Sequence, residues 1–125
     1  MAGAPDPKSR SLARGERRYR RKVASPKQWQ AIIAAKQGRC RVCNLEPEAT
    51  FRGSVEYHHL LGRAQGGDDV ADNIVPLHNV CHGCVTTRLP VALAALAASL
   101  TDSERSYVTA KLGEGGMERL FGVAR

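Results

Sequence analysis

Apolar positions recur at helical spacing in the outer parts of this chain, and the middle is set apart by β-branched and aromatic stretches. Ser25-Pro26 opens a helix, with Ser25 as N-cap and Pro26 at the first helical position. Trp29, Ile32 and Ile33 follow at helical intervals, and Gly38 closes the segment as its C-cap residue. The Trp29 face of this helix is expected to pack on the core. The alanine-rich tract from Pro90 to Leu100 sets Leu93, Leu96 and Leu100 on one face of a second helix. Thr101-Asp102-Ser103-Glu104 reads as a capping box, in which Thr hydroxyl and Glu carboxylate each satisfy a free backbone N–H of the other. The helix it starts carries Tyr107, Val108 and Leu112 and stops at Gly113, and Met117 to Phe121 adds a short turn. Apolar stripes at this spacing form core, so these helices are assigned to scaffold.

The middle of the chain follows a different rule. Ser54 to Leu61 is β-branched and aromatic and reads as a strand ending at the pair His58-His59. Gly62 to Asp72, rich in Gly and Asp, reads as a loop. Asn73 to Leu77 reads as a second strand, with Pro76 near its end or on an edge, and Cys81 to Arg88 as a short helix closed off before Pro90. Strand, loop, strand and helix, flanked by helices at both ends, make an α+β protein without internal repeats.

Composition sharpens this picture. The 125 residues leave room for one domain, and with 42% hydrophobic and 5% aromatic residues its core will be thin, so a metal or disulfide staple is expected. No window approaches the ~18 apolar residues of a membrane span, and the first thirty residues lack the apolar stretch of a signal peptide. The expected setting is therefore cytoplasmic, with no membrane partner. There, four cysteines read as metal ligands before they read as disulfides.

The net charge is +7, and it is unevenly placed. Residues 1–39 hold eleven basic and two acidic side chains, against eight and ten in the rest. Most of the excess lies in Arg14, Arg17, Arg18, Arg20, Arg21 and Lys22. Residues 1–24 read as a basic and largely disordered arm, with residues 25–125 as the domain: helix 25–38, chemical centre 40–88 and C-terminal helices 90–125. Such an arm suits a polyanion such as nucleic acid. Because the candidate chemistry all lies after residue 57, deleting residues 1–22 is expected to weaken binding while sparing the chemistry.

All four cysteines and all four histidines fall between Cys40 and Cys84. Cys40-Arg41-Val42-Cys43 has the spacing at which a tight turn aims two thiolates at one tetrahedral zinc. The other half of that site lies among His78, Cys81 and Cys84, because Cys81 stands three residues from each of the other two.

His58-His59, Asn73 fourteen residues after His59, and His82 nine residues after Asn73 resemble the HNH endonucleases, whose core is a ββα-metal hairpin and helix. Cys40-x-x-Cys43, Gly66-Gly67-Asp68 and Asn73-Ile74-Val75-Pro76-Leu77 reinforce the resemblance over residues 40–88. A weaker likeness to small phage-type members continues from Leu100 to Val123. The resemblance implies a structural Zn²⁺ on Cys40, Cys43, Cys81 and a fourth ligand. His78 keeps the family's register, where a cysteine is usual, and Cys84 is its rival. It implies His59 as general base, with His58 and His82 as ligands of a catalytic divalent metal: Mg²⁺, or equally Mn²⁺, Ni²⁺ or Zn²⁺ for two imidazoles. Neighbours on a strand point to opposite faces, so His58 and His59 need a twist or bulge to serve one site. Asn73 either holds the loop that orients His59 or reaches the metal directly. Thr86 stands where some relatives place a further histidine. Arg63 and Arg88 flank the hairpin as phosphate contacts. The implied partner is DNA, with protein partners of a phage packaging complex as borrowed context. The competing reading is a non-catalytic zinc-stabilised module that binds nucleic acid through its arm.

Overall fold

The computed structural model describes residues 20–122. Arg14, Arg17 and Arg18, and most of the arm expected to be largely disordered, lie outside them. The described chain is α+β. Its elements are α1 (Pro26–Lys36), β1 (Val55–His59), β2 (Ile74–His78), α2 (Asn79–Thr86), α3 (Pro90–Ser99), α4 (Asp102–Leu112) and α5 (Gly116–Phe121). No single helix among them is long and apolar enough to cross a membrane.

β1 and β2 form a two-stranded antiparallel hairpin whose register runs unbroken from Val55 opposite His78 to His59 opposite Ile74. The anticipated bulge is absent. Pro76 takes a place in the ladder opposite Tyr57, which a two-stranded sheet tolerates because each strand is also an edge. The Pro76 carbonyl accepts instead from Arg41 N–H at 3.0 Å, tying the cysteine turn to the hairpin. Every residue of β2 is buried, while those of β1 are half-buried. Val75 and Leu77 point into a core built with Val85 of α2, Leu93 and Leu96 of α3, Val108 of α4 and Phe121 of α5.

The helices meet their sequence signals closely, with three differences. α1 keeps the Ser25 cap, now as a full capping box with Gln28, but it ends at Lys36 and is capped by Gln37, one residue before Gly38. α1 buries no residue: its Trp29 is half-buried and does not pack on the core. The reason is placement, since α1 lies along β2 and the Ala71–Asn73 turn, at the loop end of the hairpin. Finally, α2 begins at Asn79, before the expected Cys81.

Glu104 is more than a cap. Fully buried, it accepts from Thr101 N–H at 2.8 Å, takes both Arg41 guanidinium nitrogens at 2.7 and 2.9 Å, and pairs with Lys36 Nζ. One carboxylate thus joins α1, the cysteine turn and α4. Burial pushes its carboxyl group upward, but Arg41, Lys36 and Thr101 outweigh that and hold it at about 2.

Candidate functional site

Two clusters flank the hairpin. In the first, the Sγ atoms of Cys40, Cys43 and Cys81 lie within 4.8 Å of one another. The turn from Cys40 to Cys43 and the first turn of α2 bring them together. Backbone N–H groups of Val42 and His78 point at Cys40 Sγ from 3.4 and 3.3 Å, and Arg52 Nη2 donates to Cys81 Sγ at 3.4 Å. Burial pushes the Cys40 thiol up, but the surrounding N–H donors bring it well below its ordinary value; Cys81 is pushed up by burial and by its sulfur neighbours. Three soft ligands so close, one of them prepared as thiolate, fit a structural metal such as zinc. His78 is fully buried, with Nδ1 at 3.4 Å from Cys43 Sγ and Nε2 without a partner among the described residues. Cys84 is half-buried and packs against the apolar core.

The second cluster lines an open hollow of about 450 Å³, walled by Trp29, Tyr57, His58, His59, Gly62, Arg63 and His82. His58 and His59 both line it although the ladder register through them is unbroken. His58 Nδ1 and His82 Nε2 lie 3.2 Å apart with their rings edge to face. Burial, with His82 and His59 adding to it, lowers His58 to about 4, so at neutral pH its imidazole is uncharged and has a lone pair to give. On the other side of His82, Nδ1 lies 2.6 Å from Glu56 Oε1, and Glu56 also accepts from Asn79 Nδ2 at 2.9 Å. The His82 contact is the main reason that the Glu56 carboxyl lies below its usual range.

His59 turns to different partners. Its Nε2 lies 2.8 Å from Asp69 Oδ1, and the Trp29 ring stacks on it with centroids 5.8 Å apart and planes 16° from parallel. The Arg63 guanidinium sits 5.9 Å from the Trp29 ring centre and 3.5 Å from Asp69 Oδ1.

Asn73 lies just outside the hollow, fully buried. Its Oδ1 accepts from Leu61 N–H at 2.8 Å, and its Nδ2 donates to the carbonyls of Leu61 and Asp68, both at 3.0 Å. It closes the long hairpin loop on itself. Gly67 packs so tightly under this latch that a methyl there would fall 1.7 Å from the Leu61 carbonyl oxygen.

The basic residues separate as well. Arg63 lines the hollow, whereas Arg88 lies beyond α2 and donates to the Leu120 carbonyl. Arg20 is exposed. Arg21 donates to the Gly67 carbonyl at 2.8 Å and to Asp69 Oδ1 at 2.6 Å, and Lys22 N–H donates to Asp68 Oδ1 at 2.7 Å. Residues 21–24, read as the end of a loose arm, are thus bonded to the hairpin loop. Thr86 hydrogen-bonds back to the His82 carbonyl in its own helix.

Sequence reasoning passed over Glu56, Asp69, Arg52 and the site role of Trp29. For Glu56 a signal existed: two residues before His58 on a strand, it shares that residue's face. Asp69 had none, because loop residues have no period. No curated protein and no solved structure gives a match to this chain. Residues 40–88, the segment carrying the thiol cluster and His58, His59, Asn73 and His82, match the family model of the HNH endonucleases.

Proposed function

We propose that this protein is a divalent-metal-dependent endonuclease that hydrolyses DNA phosphodiester bonds, with a structural zinc holding its hairpin and helix together. The observation that carries the reading is the convergence of His58, His59 and His82 on one hollow at the end of the hairpin. In this reading Cys40, Cys43, Cys81 and His78 hold the zinc, His78 being favoured over Cys84 for its place beside Cys43. His58 Nδ1 and His82 Nε2 hold the catalytic cation, Mg²⁺ or alternatively Mn²⁺, Ni²⁺ or Zn²⁺. That cation, when bound, supplies positive charge to the phosphate and to the leaving 3′ oxygen. Glu56 orients His82 through the opposite ring nitrogen, the arrangement that fixes which nitrogen of a ligating histidine is free.

His59 accepts the proton of the attacking water. As that O–H bond breaks, the water oxygen donates its electron pair to phosphorus, and the P–O3′ bond breaks with its pair on the leaving oxygen. Asn73 does not touch the substrate; it latches the loop behind His59. Arg63, and the exposed Arg20 with the residues preceding it, draw in the phosphate backbone. The setting proposed with this activity, on the family resemblance alone, is phage DNA processing or packaging beside protein partners in the host cytoplasm.

Plasmid cleavage with Mg²⁺, Mn²⁺ or EDTA tests the reading, with His59→Ala as control. Cleavage is expected with the cations, not with EDTA, and His59→Ala should cost about 10²–10⁴-fold in rate while leaving DNA binding intact. A zinc-loaded, folded protein that binds DNA but never cuts it would instead be the non-catalytic module.

A further inference from the structure

Asp69 gathers more polar contacts than a loop carboxylate needs. Its side chain is 4% exposed, yet both oxygens are engaged. Oδ1 faces His59 Nε2 at 2.8 Å and accepts from Arg21 Nη2 at 2.6 Å, with Arg63 Nε at 3.5 Å; Oδ2 accepts from Ala24 N–H at 3.0 Å. Burial pushes this carboxyl up, but His59, Ala24, Arg21 and Arg63 together leave it below its ordinary value. Ionised, it has no proton to give. The hydrogen between it and His59 therefore belongs to Nε2, and in a neutral imidazole the lone pair then lies on Nδ1.

We propose that Asp69 is the positioning carboxylate of the general base: clamped by Arg21 from the N-terminal segment, it holds His59 as the Nε2–H tautomer and leaves Nδ1 to take the proton of water. The proposal rests on the reading of His59 as proton acceptor. Two restraints then define the ring. The Asp69 contact sets its rotation in plane, and Trp29, stacked 16° from parallel, sets the plane itself. A third layer holds the carboxylate. Arg21 Nε bonds the Gly67 carbonyl at 2.8 Å, and Asp69 N–H bonds the Lys22 carbonyl at 2.9 Å, so residues 21–24 strap the loop on which Asp69 stands. The strap makes the end of the basic segment part of the catalytic support, not only a tether for DNA.

The test is imidazole nitrogen NMR on the full chain, zinc-loaded and without added divalent cation, together with cleavage kinetics for Asp69→Asn and Arg21→Ala. Wild-type His59 should appear as the Nε2–H tautomer. Asp69→Asn presents an amide donor as readily as an acceptor, so Nδ1–H should gain population. Its kcat should fall on the order of 10²-fold or more, because a base in the wrong tautomer has no lone pair where it is needed, with KM within about threefold. Arg21→Ala should also act on kcat. A raised KM with unchanged kcat would mark Arg21 as a DNA contact alone and overturn the clamp. An Nδ1–H tautomer in the wild type, or full kcat in folded Asp69→Asn, would overturn the assignment of Asp69. If Asp69→Asn does not fold, the wild-type tautomer and Arg21→Ala decide the matter. A wild type that cuts no DNA would overturn the nuclease reading, while the tautomer still rules on the clamp.

Discussion

Asn73→Asp separates the two roles open to this residue, loop latch and metal contact. A residue that reaches a hard divalent cation should tolerate or welcome a carboxylate, the preferred ligand of such ions. The geometry predicts the reverse. Oδ1 of an aspartate still accepts from Leu61 N–H, but the atom replacing Nδ2 faces the carbonyls of Leu61 and Asp68, now 3.0 Å from an acceptor instead of a donor. Two hydrogen bonds are lost at about 1 kcal/mol each, and a carboxylate oxygen is left unpaired in a fully buried position at a further ~1–3 kcal/mol. The substitution should therefore destabilise by about 3–5 kcal/mol. With denaturant slopes of about 1–3 kcal/mol/M, the urea midpoint of zinc-loaded protein at pH 7 should fall by roughly 2 M. Because the latch holds the loop that carries Asp69, kcat should fall as well. Calorimetric titration with Mn²⁺ completes the assay, and affinity for the ion per folded molecule should not rise. An unchanged urea midpoint with tighter Mn²⁺ binding would refute the latch and restore the direct contact.

Glu104→Gln should cost about 3 kcal/mol at pH 7, the equivalent of a carboxyl held at about 2 against an ordinary 4.5. Because the folded-state value is depressed, this stability is present above pH ~4.5 and is lost as pH falls toward 2. Urea curves of the two proteins should thus converge in acid, and a constant gap would contradict the assignment. Elemental analysis should find one zinc per chain; His78→Ala should lose it and Cys84→Ala keep it, and chelation should unfold the domain, since structural zinc supplies on the order of 10 kcal/mol. Folded, metal-free protein would argue against this. Deleting residues 1–19 should flatten the salt dependence of DNA binding by about 0.9 per lost phosphate contact while sparing kcat. Deleting residues 1–22 should lower kcat as well, in contrast to the expectation from sequence, because Arg21 goes with it; equal kcat in the two truncations would count against the strap.

By itself the sequence determined what is local in character. Helix starts at Ser25 and Thr101 were legible because a cap is a matter of three or four consecutive residues. The hairpin was legible because β-branched and aromatic stretches stand on either side of a Gly- and Asp-rich one, and the metal-type residues stood out because all eight cysteines and histidines crowd into 45 consecutive positions. Tertiary structure alone decided the rest. Trp29 carries the apolar mark of a core residue, yet it stacks on His59, because α1 packs along β2 and the Ala71–Asn73 turn, at the loop end of the hairpin. Asp69 meets His59 across ten residues and Arg21 across forty-eight, and no spacing rule links positions joined only by a loop's path in space. Glu104 shows both sides at once. Its place in a capping box was written in four residues, but its service to Arg41 and Lys36 depends on α1 and the cysteine turn arriving at the same buried point.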